Sequence, residues 1–199
     1  MALYSFIKNG CFFLLRLCFK MSLEIVVGPM FSGKSTYALS YAKRYRSIGK
    51  RVIIVKPNID NRYTDEHVII SHDGEQLPCV NWDVYLPFDE QYFLAADCIV
   101  FEEAQFFRGL KCVVKHLVVF NNKNVLLVGL DGDASQETFG EVLECIPLCN
   151  KLIKLNSYCS VCNDGTLAPY TKRINHDNST EQIHVGGSEM YRAVCLKHL

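Results

Sequence analysis

Gly28-Pro29-Met30-Phe31-Ser32-Gly33-Lys34-Ser35 spells G-x-x-x-x-G-K-[ST] in full. The pattern has a mechanical basis. Glycines let the backbone curl until successive N–H groups converge on phosphate oxygens at a helix N-terminus. Lys34 then reaches the β- and γ-phosphates of a nucleotide, and the Ser35 hydroxyl ligates Mg²⁺. An apolar run precedes the motif and a helical pattern follows it, so a chance glycine turn is the poorer reading. The loop alone leaves open what the nucleotide is used for.

A second constellation starts at Cys98-Ile99-Val100-Phe101, an apolar run that leads straight into Glu102-Glu103-Ala104-Gln105. In proteins with this phosphate loop, an acidic residue ending a neighbouring strand helps to hold Mg²⁺. Adjacent strand residues point to opposite sides of the pleat. Glu102 can therefore orient the metal while Glu103 takes a proton from a bound hydroxyl. In isolation the pair would read as solvated charges at a strand end. Beside a complete phosphate loop it reads as catalytic.

Near the C-terminus, Cys159-x-x-Cys162 is followed after a long gap by Cys195-x-x-His198. Two ligand pairs on tight turns can close a tetrahedral Cys₃His site for structural Zn²⁺. Such a metal would hold together a lobe with little apolar core of its own. A redox or nucleophilic role for Cys159 and Cys162 is the alternative, and the second pair argues against it.

These groups need a rigid frame, and the chain supplies the pattern of one. Short apolar runs alternate with helical stretches, which argues for an α/β fold with a parallel sheet and crossover helices. Strands are expected over 23–27, 51–56, 98–101 and 124–130, with a fifth near 152–155. The central three are apolar almost throughout, as strands covered on both faces are. Helices are expected from 34 to about 48, closed by Gly49, and from about 107 to 120. After about Asn156 the composition turns polar, so a main domain over 21–156 is expected to precede a small metal-bound lobe over 157–199.

The first twenty residues stand apart. They are apolar from Cys11 to Phe19 except for Arg16, and no acidic residue precedes Glu24. Arg16 interrupts the apolar core that a signal peptide needs, and the run is too short to span a bilayer. The expectation is a dispensable leader over 1–20, with an organelle-targeting segment as the alternative.

Bulk composition narrows the partners. Hydrophobic residues make up 49% of the chain and charged residues 21%, which is globular. Lys+Arg and Asp+Glu both number 21, so no polyanion-binding surface is indicated and a small-molecule substrate is favoured over nucleic acid. Cys98 and Cys112 sit among apolar residues and read as core thiols. A C-x-x-C used for metal points to a reducing compartment, so a cytoplasmic location and no membrane partner are expected.

With these features in place, the sequence resembles the type II thymidine kinases of cells and large DNA viruses. The stretch from Gly28 to Thr36 is similar to that family's phosphate loop nearly word for word. Further matches are Asp60-Asn61-Arg62-Tyr63, Ser71-His72-Asp73, Glu102-Glu103-Ala104-Gln105-Phe106-Phe107 and Leu130-Asp131-Gly132. Tyr170-Thr171-Lys172-Arg173, Gly186-Gly187 and Tyr191 complete the set, in order and at near-family spacing from Leu23 to the C-terminus.

The resemblance implies a kinase that moves the γ-phosphate of ATP to the 5′-hydroxyl of thymidine, with a zinc-bound lobe carrying a lasso loop over the nucleoside. It makes Glu103 the general base and gives Asp60, Asn61, Arg62, Glu102 and Gln105 supporting contacts to ATP. Met30, Phe106, Leu130, Phe139, Thr171 and Tyr191 are implied to wall the nucleoside pocket. Gln182, Ile183, His184, Val185 and Gly186 fall in the lasso. Arg62 and Arg173 are candidates for further positive charge. A homotetramer and feedback by thymidine triphosphate are implied as well. Three positions depart from the family: Glu102 where Asp is usual, Ala134 where Phe is usual, and His198 where a fourth Cys is usual. The rival readings are a P-loop ATPase with water as acceptor, and a zinc-ribbon module for nucleic acid.

Overall fold

The structure is a computed structural model that describes residues 22–58, 67–71, 73–82, 90–174, 182 and 186–199. The expected leader, Asp60, Asn61, Arg62, Ile183, His184 and Val185 lie outside these described residues.

In chain order, β1 (Ser22–Val27) leads into helix α1 (Lys34–Ser47), then β2 (Val52–Pro57), β3 (Val68–Ile70), β4 (Gln76–Pro78) and β5 (Val80–Trp82). Helix α2 (Glu90–Leu94), β6 (Cys98–Phe101), helix α3 (Leu110–Lys115) and β7 (Asn124–Gly129) follow. The chain closes with β8 (Lys151–Lys154), β9 (Ser157–Tyr158), β10 (Leu167–Ala168), β11 (Tyr170–Arg173) and β12 (Tyr191–Val194).

Six strands form one sheet in the order β5-β2-β6-β7-β1-β8, and every pairing in it is parallel. The period-two alternation of the strands divides their side chains between two cores. Leu23, Ile25, Val27, Ile99, Phe101, Val125 and Leu127 face the α2 and α3 side. Val26, Cys98, Val100, Leu126 and Val128 face α1, meeting Ala38, Leu39, Tyr41 and Ala42. A sheet buried on both faces has little use for polar residues in its middle strands, which is why these runs are mostly apolar, with Glu24 and Lys56 as exceptions.

Helix α1 ends as its sequence indicates. Gly49 takes a left-handed backbone (φ 74) and its N–H reaches the Arg46 carbonyl at 3.0 Å, while the Lys50 N–H reaches Tyr45. Helix α3 starts later than expected. Phe107 is extended, and the helix begins at Leu110 after Gly109. The side chain that caps it comes from 32 residues downstream, where the Glu141 carboxylate accepts the N–H groups of Gly109 (2.8 Å) and Lys111 (3.0 Å). Beyond Lys115 the helix widens into a π turn over His116–Phe120, which brings the sequence neighbours Leu117 and Val118 both into the core. Cys112 is a correction to the sequence reading. It is exposed, because the buried face of α3 runs through Leu110 and Val114 and Cys112 is out of phase with both.

The C-terminal strands pair as two small antiparallel ribbons, β9 with β10 and β11 with β12. Among the described residues their buried apolar cluster comprises Cys159, Ala168, Ala193, Val194 and Cys195, with Phe31, Cys162 and Tyr170 partly buried against it. No helix of the described residues is long and apolar enough to cross a membrane.

Candidate functional site

The turn between β1 and α1 is held by close packing. A Cβ on Gly28 would lie 2.5 Å from the Leu155 carbonyl oxygen, so only glycine lets the loop leave the sheet there. At its far end Gly33 caps α1 with φ 81, and the helix N-terminus opens toward the loop. The Lys34 ammonium donates to the Pro29 carbonyl at 2.6 Å and is 8% exposed, which keeps the cation inside the cup of the loop. The Ser32 hydroxyl also donates to Pro29, at 2.8 Å.

The end of β6 meets this cup. Ser35 donates its hydroxyl to Glu102 Oε1 at 2.5 Å. Glu102 is buried, and its other oxygen, Oε2, accepts no hydrogen bond among the described residues. Burial first, and then the charge of Glu103, hold the Glu102 carboxyl well above the usual carboxylate range, against the pull of Ser35, Lys34 and Lys56. A buried carboxylate oxygen without a partner is costly. A hard cation between Glu102, Ser35 and nucleotide phosphates would satisfy it, so these residues fit Mg²⁺.

Glu103 turns the other way. Its backbone is left-handed (φ 50, ψ 46), which ends the strand and aims its carboxylate along the cavity instead of into the sheet. The buried Gln105 donates its Nε2 to Glu103 Oε2 at 2.7 Å and accepts the Leu130 N–H at 3.0 Å. Glu102, Glu103 and Gln105 line the same cavity as the loop residues Met30 to Ser35.

That cavity continues into an apolar end. Phe106 and Phe139 meet edge to face at 5.3 Å, and Leu130, Thr171, Gly186 and Tyr191 also line it, with Gln182 at its edge. Thr171 ties β11 to the phosphate loop, its hydroxyl oxygen accepting the Met30 N–H at 3.0 Å. Gln182 donates to Asp133 Oδ2 at 2.7 Å, and Asp133 in turn caps the following turn by accepting the Ser135 and Glu137 N–H groups. Arg173 lies against Tyr191, 5.8 Å from its ring centroid. Ala134 lines the wall where the sequence suggested a missing aromatic ring. Sequence reasoning missed Lys56, Val68 and Ile69, which also line the cavity, and gave Ser71 a place in a matching motif but no role in the site. Lys56 carried a signal: it stands at the carboxyl end of a parallel strand, where α/β folds place ligands.

The four sulfur and nitrogen atoms of Cys159, Cys162, Cys195 and His198 lie within 4.8 Å of one another. Cys162 and Cys195 Sγ are 3.7 Å apart, and His198 Nδ1 is 3.4 Å from each of them and 3.6 Å from Cys159 Sγ. A tetrahedral zinc with Zn–S near 2.3 Å has sulfur–sulfur edges of about 3.7 Å, so the cluster has the size such an ion needs. The Lys172 ammonium holds the chain end in place by donating to the His198 and Leu199 carbonyls at 2.9 and 3.2 Å.

The phosphate loop, the split glutamate pair and the zinc-sized cluster occur together in one chain, and the family model described as thymidine kinase matches residues 21–199. The chain belongs to the thymidine kinase family. Thymidine kinase a of Arabidopsis thaliana is 39% identical over 181 residues, covering 89% of this chain and 74% of that protein. The thymidine kinase of Choristoneura fumiferana entomopoxvirus is 32% identical, covering 88% of this chain and 94% of its own. A bacterial thymidine kinase, from Pseudothermotoga lettingae, is 32% identical over 87% of this chain and 91% of its own length. Plant, viral and bacterial members of the family thus align with this chain over nearly the whole of the family match. Membership makes the protein a kinase, and the resemblance drawn from the motifs stands.

Proposed function

We propose that the protein transfers the γ-phosphate of ATP to the 5′-hydroxyl of thymidine, giving thymidine monophosphate. The observation that carries this reading is the continuity of one cavity, with the phosphate loop and Glu102–Glu103 at its polar end and Phe106, Phe139 and Tyr191 at its apolar end. A phosphate donor and a flat, weakly polar acceptor fit these two kinds of lining.

Phosphoryl transfer asks the protein for positioning and charge stabilisation more than for covalent chemistry. Lys34 and the amides of the loop hold the phosphates and balance the charge that develops on the transferred group. Ser35 and Glu102 would hold Mg²⁺, which would supply further positive charge to the transferred phosphoryl group. Glu103 accepts the 5′-hydroxyl proton as attack proceeds. Met30, Leu130 and Thr171 set the wall against which the base lies, and Gln182 and Gly186 hold the edge that keeps competing water out.

The family supports three further proposals: a homotetramer, feedback by thymidine triphosphate, and a cytoplasmic setting. The last agrees with the free thiols of Cys79, Cys98, Cys112, Cys145 and Cys149. The decisive variant is Glu103→Gln, assayed for thymidine monophosphate formation and separately for ATP binding. Turnover is expected to fall by roughly 10²- to 10⁴-fold, the usual share of a general base, with ATP binding retained. Normal turnover would remove Glu103 from the mechanism.

A further inference from the structure

The resemblance placed Gln105 among the contacts to ATP, yet its buried carboxamide spans two other parts of the site. Oε1 accepts the backbone N–H of Leu130 at 3.0 Å, and Nε2 donates to Glu103 Oε2 at 2.7 Å. The partners fix which way the amide faces. A backbone N–H needs an acceptor and a carboxylate oxygen needs a donor, so the flipped amide would lose both bonds. Gln105 is 3% exposed, which leaves water little access to replace either bond.

The packing around the carboxamide leaves no slack. A Cβ on Gly129 would lie 2.6 Å from Oε1, and one on Gly140 would lie 2.8 Å from the Gln105 carbonyl carbon. Two glycines from different segments therefore pack closely enough to pin the side chain and the backbone of one glutamine. Glu103 has need of such a brace. It stands two residues beyond the end of the buried strand β6, in a left-handed conformation that non-glycine residues rarely adopt, at the cap of a single 3₁₀ turn over Ala104–Phe106.

We propose that Gln105 is a positioning residue for the base. Through Nε2 it fixes the rotation of the Glu103 carboxylate, and through Leu130 it ties that carboxylate to the wall of the nucleoside end of the cavity. Gln105 acts by way of Glu103 and touches neither phosphate nor metal in this role. The inference rests on Glu103 being the base, and its test separates the two.

The experiment compares wild type, Glu103→Gln, Gln105→Met and the double variant in kcat, in KM for thymidine and in the dissociation constant for Mg²⁺-ATP. Met keeps the length of the side chain and removes both hydrogen bonds. Gln105→Met is expected to lower kcat on the order of 10- to 100-fold, less than the full contribution of a general base. ATP affinity stays within about twofold, and the double variant turns over no more slowly than Glu103→Gln alone, as residues acting as one unit do. Three results would overturn the inference: unchanged kcat in Gln105→Met, a loss of ATP affinity with kcat retained, or losses that multiply in the double variant. Should the Met variant fail to fold, Gln105→Glu decides the matter. It keeps the acceptor for Leu130, and because a protonated carboxyl can still donate to Glu103 its kcat is followed across pH. That kcat must fall as the new carboxyl ionises and the donor is lost, and a pH profile identical to wild type refutes the role. If Glu103→Gln itself retains full activity, the base assignment fails instead, whatever Gln105 does.

Discussion

Glu102 and Glu103 are sequence neighbours with opposite surroundings, and the difference sets their proposed roles. Glu102 is buried against Ser35 with one oxygen that accepts no hydrogen bond among the described residues, whereas Glu103 faces the cavity and is held by Gln105. Removing the charge of Glu102 should therefore be felt by the metal more than by the acceptor. Glu102→Gln is expected to raise the Mg²⁺ concentration needed for half-maximal rate by roughly 10- to 100-fold, the usual cost of losing a group that tunes a metal site. A magnesium titration of the rate checks it, and an unchanged midpoint would contradict the assignment. At this scale the sequence was informative where the chemistry is contiguous. The loop from Gly28 to Ser35 and the pair at 102–103 could be read directly because spacing along the chain is their geometry. The contact between Gln105 and Leu130, 25 residues apart, and the arrival of Lys56 beside Glu102 depend on strand order, which no local pattern records.

Among the elements, the buried parallel strands were the most legible, since burial on both faces leaves a mostly apolar signature, unbroken in β6 and interrupted by Glu24 in β1 and Lys56 near the end of β2. The short strands β3, β4 and β5, and the ribbons of the C-terminal lobe, span two to four residues and give no period to read. The start of α3 was misplaced for a different reason, because its cap is the distant Glu141. Contacts between elements carry function too. The bond from the Met30 N–H to the Thr171 hydroxyl joins the phosphate loop to β11, and so joins the two ends of the cavity. Thr171→Val keeps the volume and leaves a part-buried donor without its partner, at a cost of about 1–3 kcal/mol. The expected outcome is a lower unfolding free energy in denaturant titration together with a higher KM for ATP. A variant with both values unchanged would show that the loop is held by other means.

Across the whole molecule, two bodies of unequal core are proposed, a main domain over 21–156 and a lobe over 157–199. The first has two extensive apolar clusters, one on each side of its sheet. The second has a handful of small buried residues and the Cys159, Cys162, Cys195 and His198 cluster. Such a lobe would depend on a metal bound at this cluster, since structural zinc contributes roughly 10–16 kcal/mol of apparent binding free energy in small zinc-bound folds. Cys162→Ser or a strong chelator is expected to lower the melting temperature and abolish turnover together, while His198→Cys retains one equivalent of zinc. Zinc analysis alongside thermal melting checks both, and an active zinc-free protein would contradict the proposal. The central claim, that the cavity joins ATP to a nucleoside acceptor, is tested most directly by measuring ADP and thymidine monophosphate in the same reaction, with and without thymidine. The expected result is equal amounts of the two products and almost no ADP when thymidine is left out. Steady ADP formation without a nucleoside, or no monophosphate in its presence, would contradict it and leave water as the acceptor or no transfer at all.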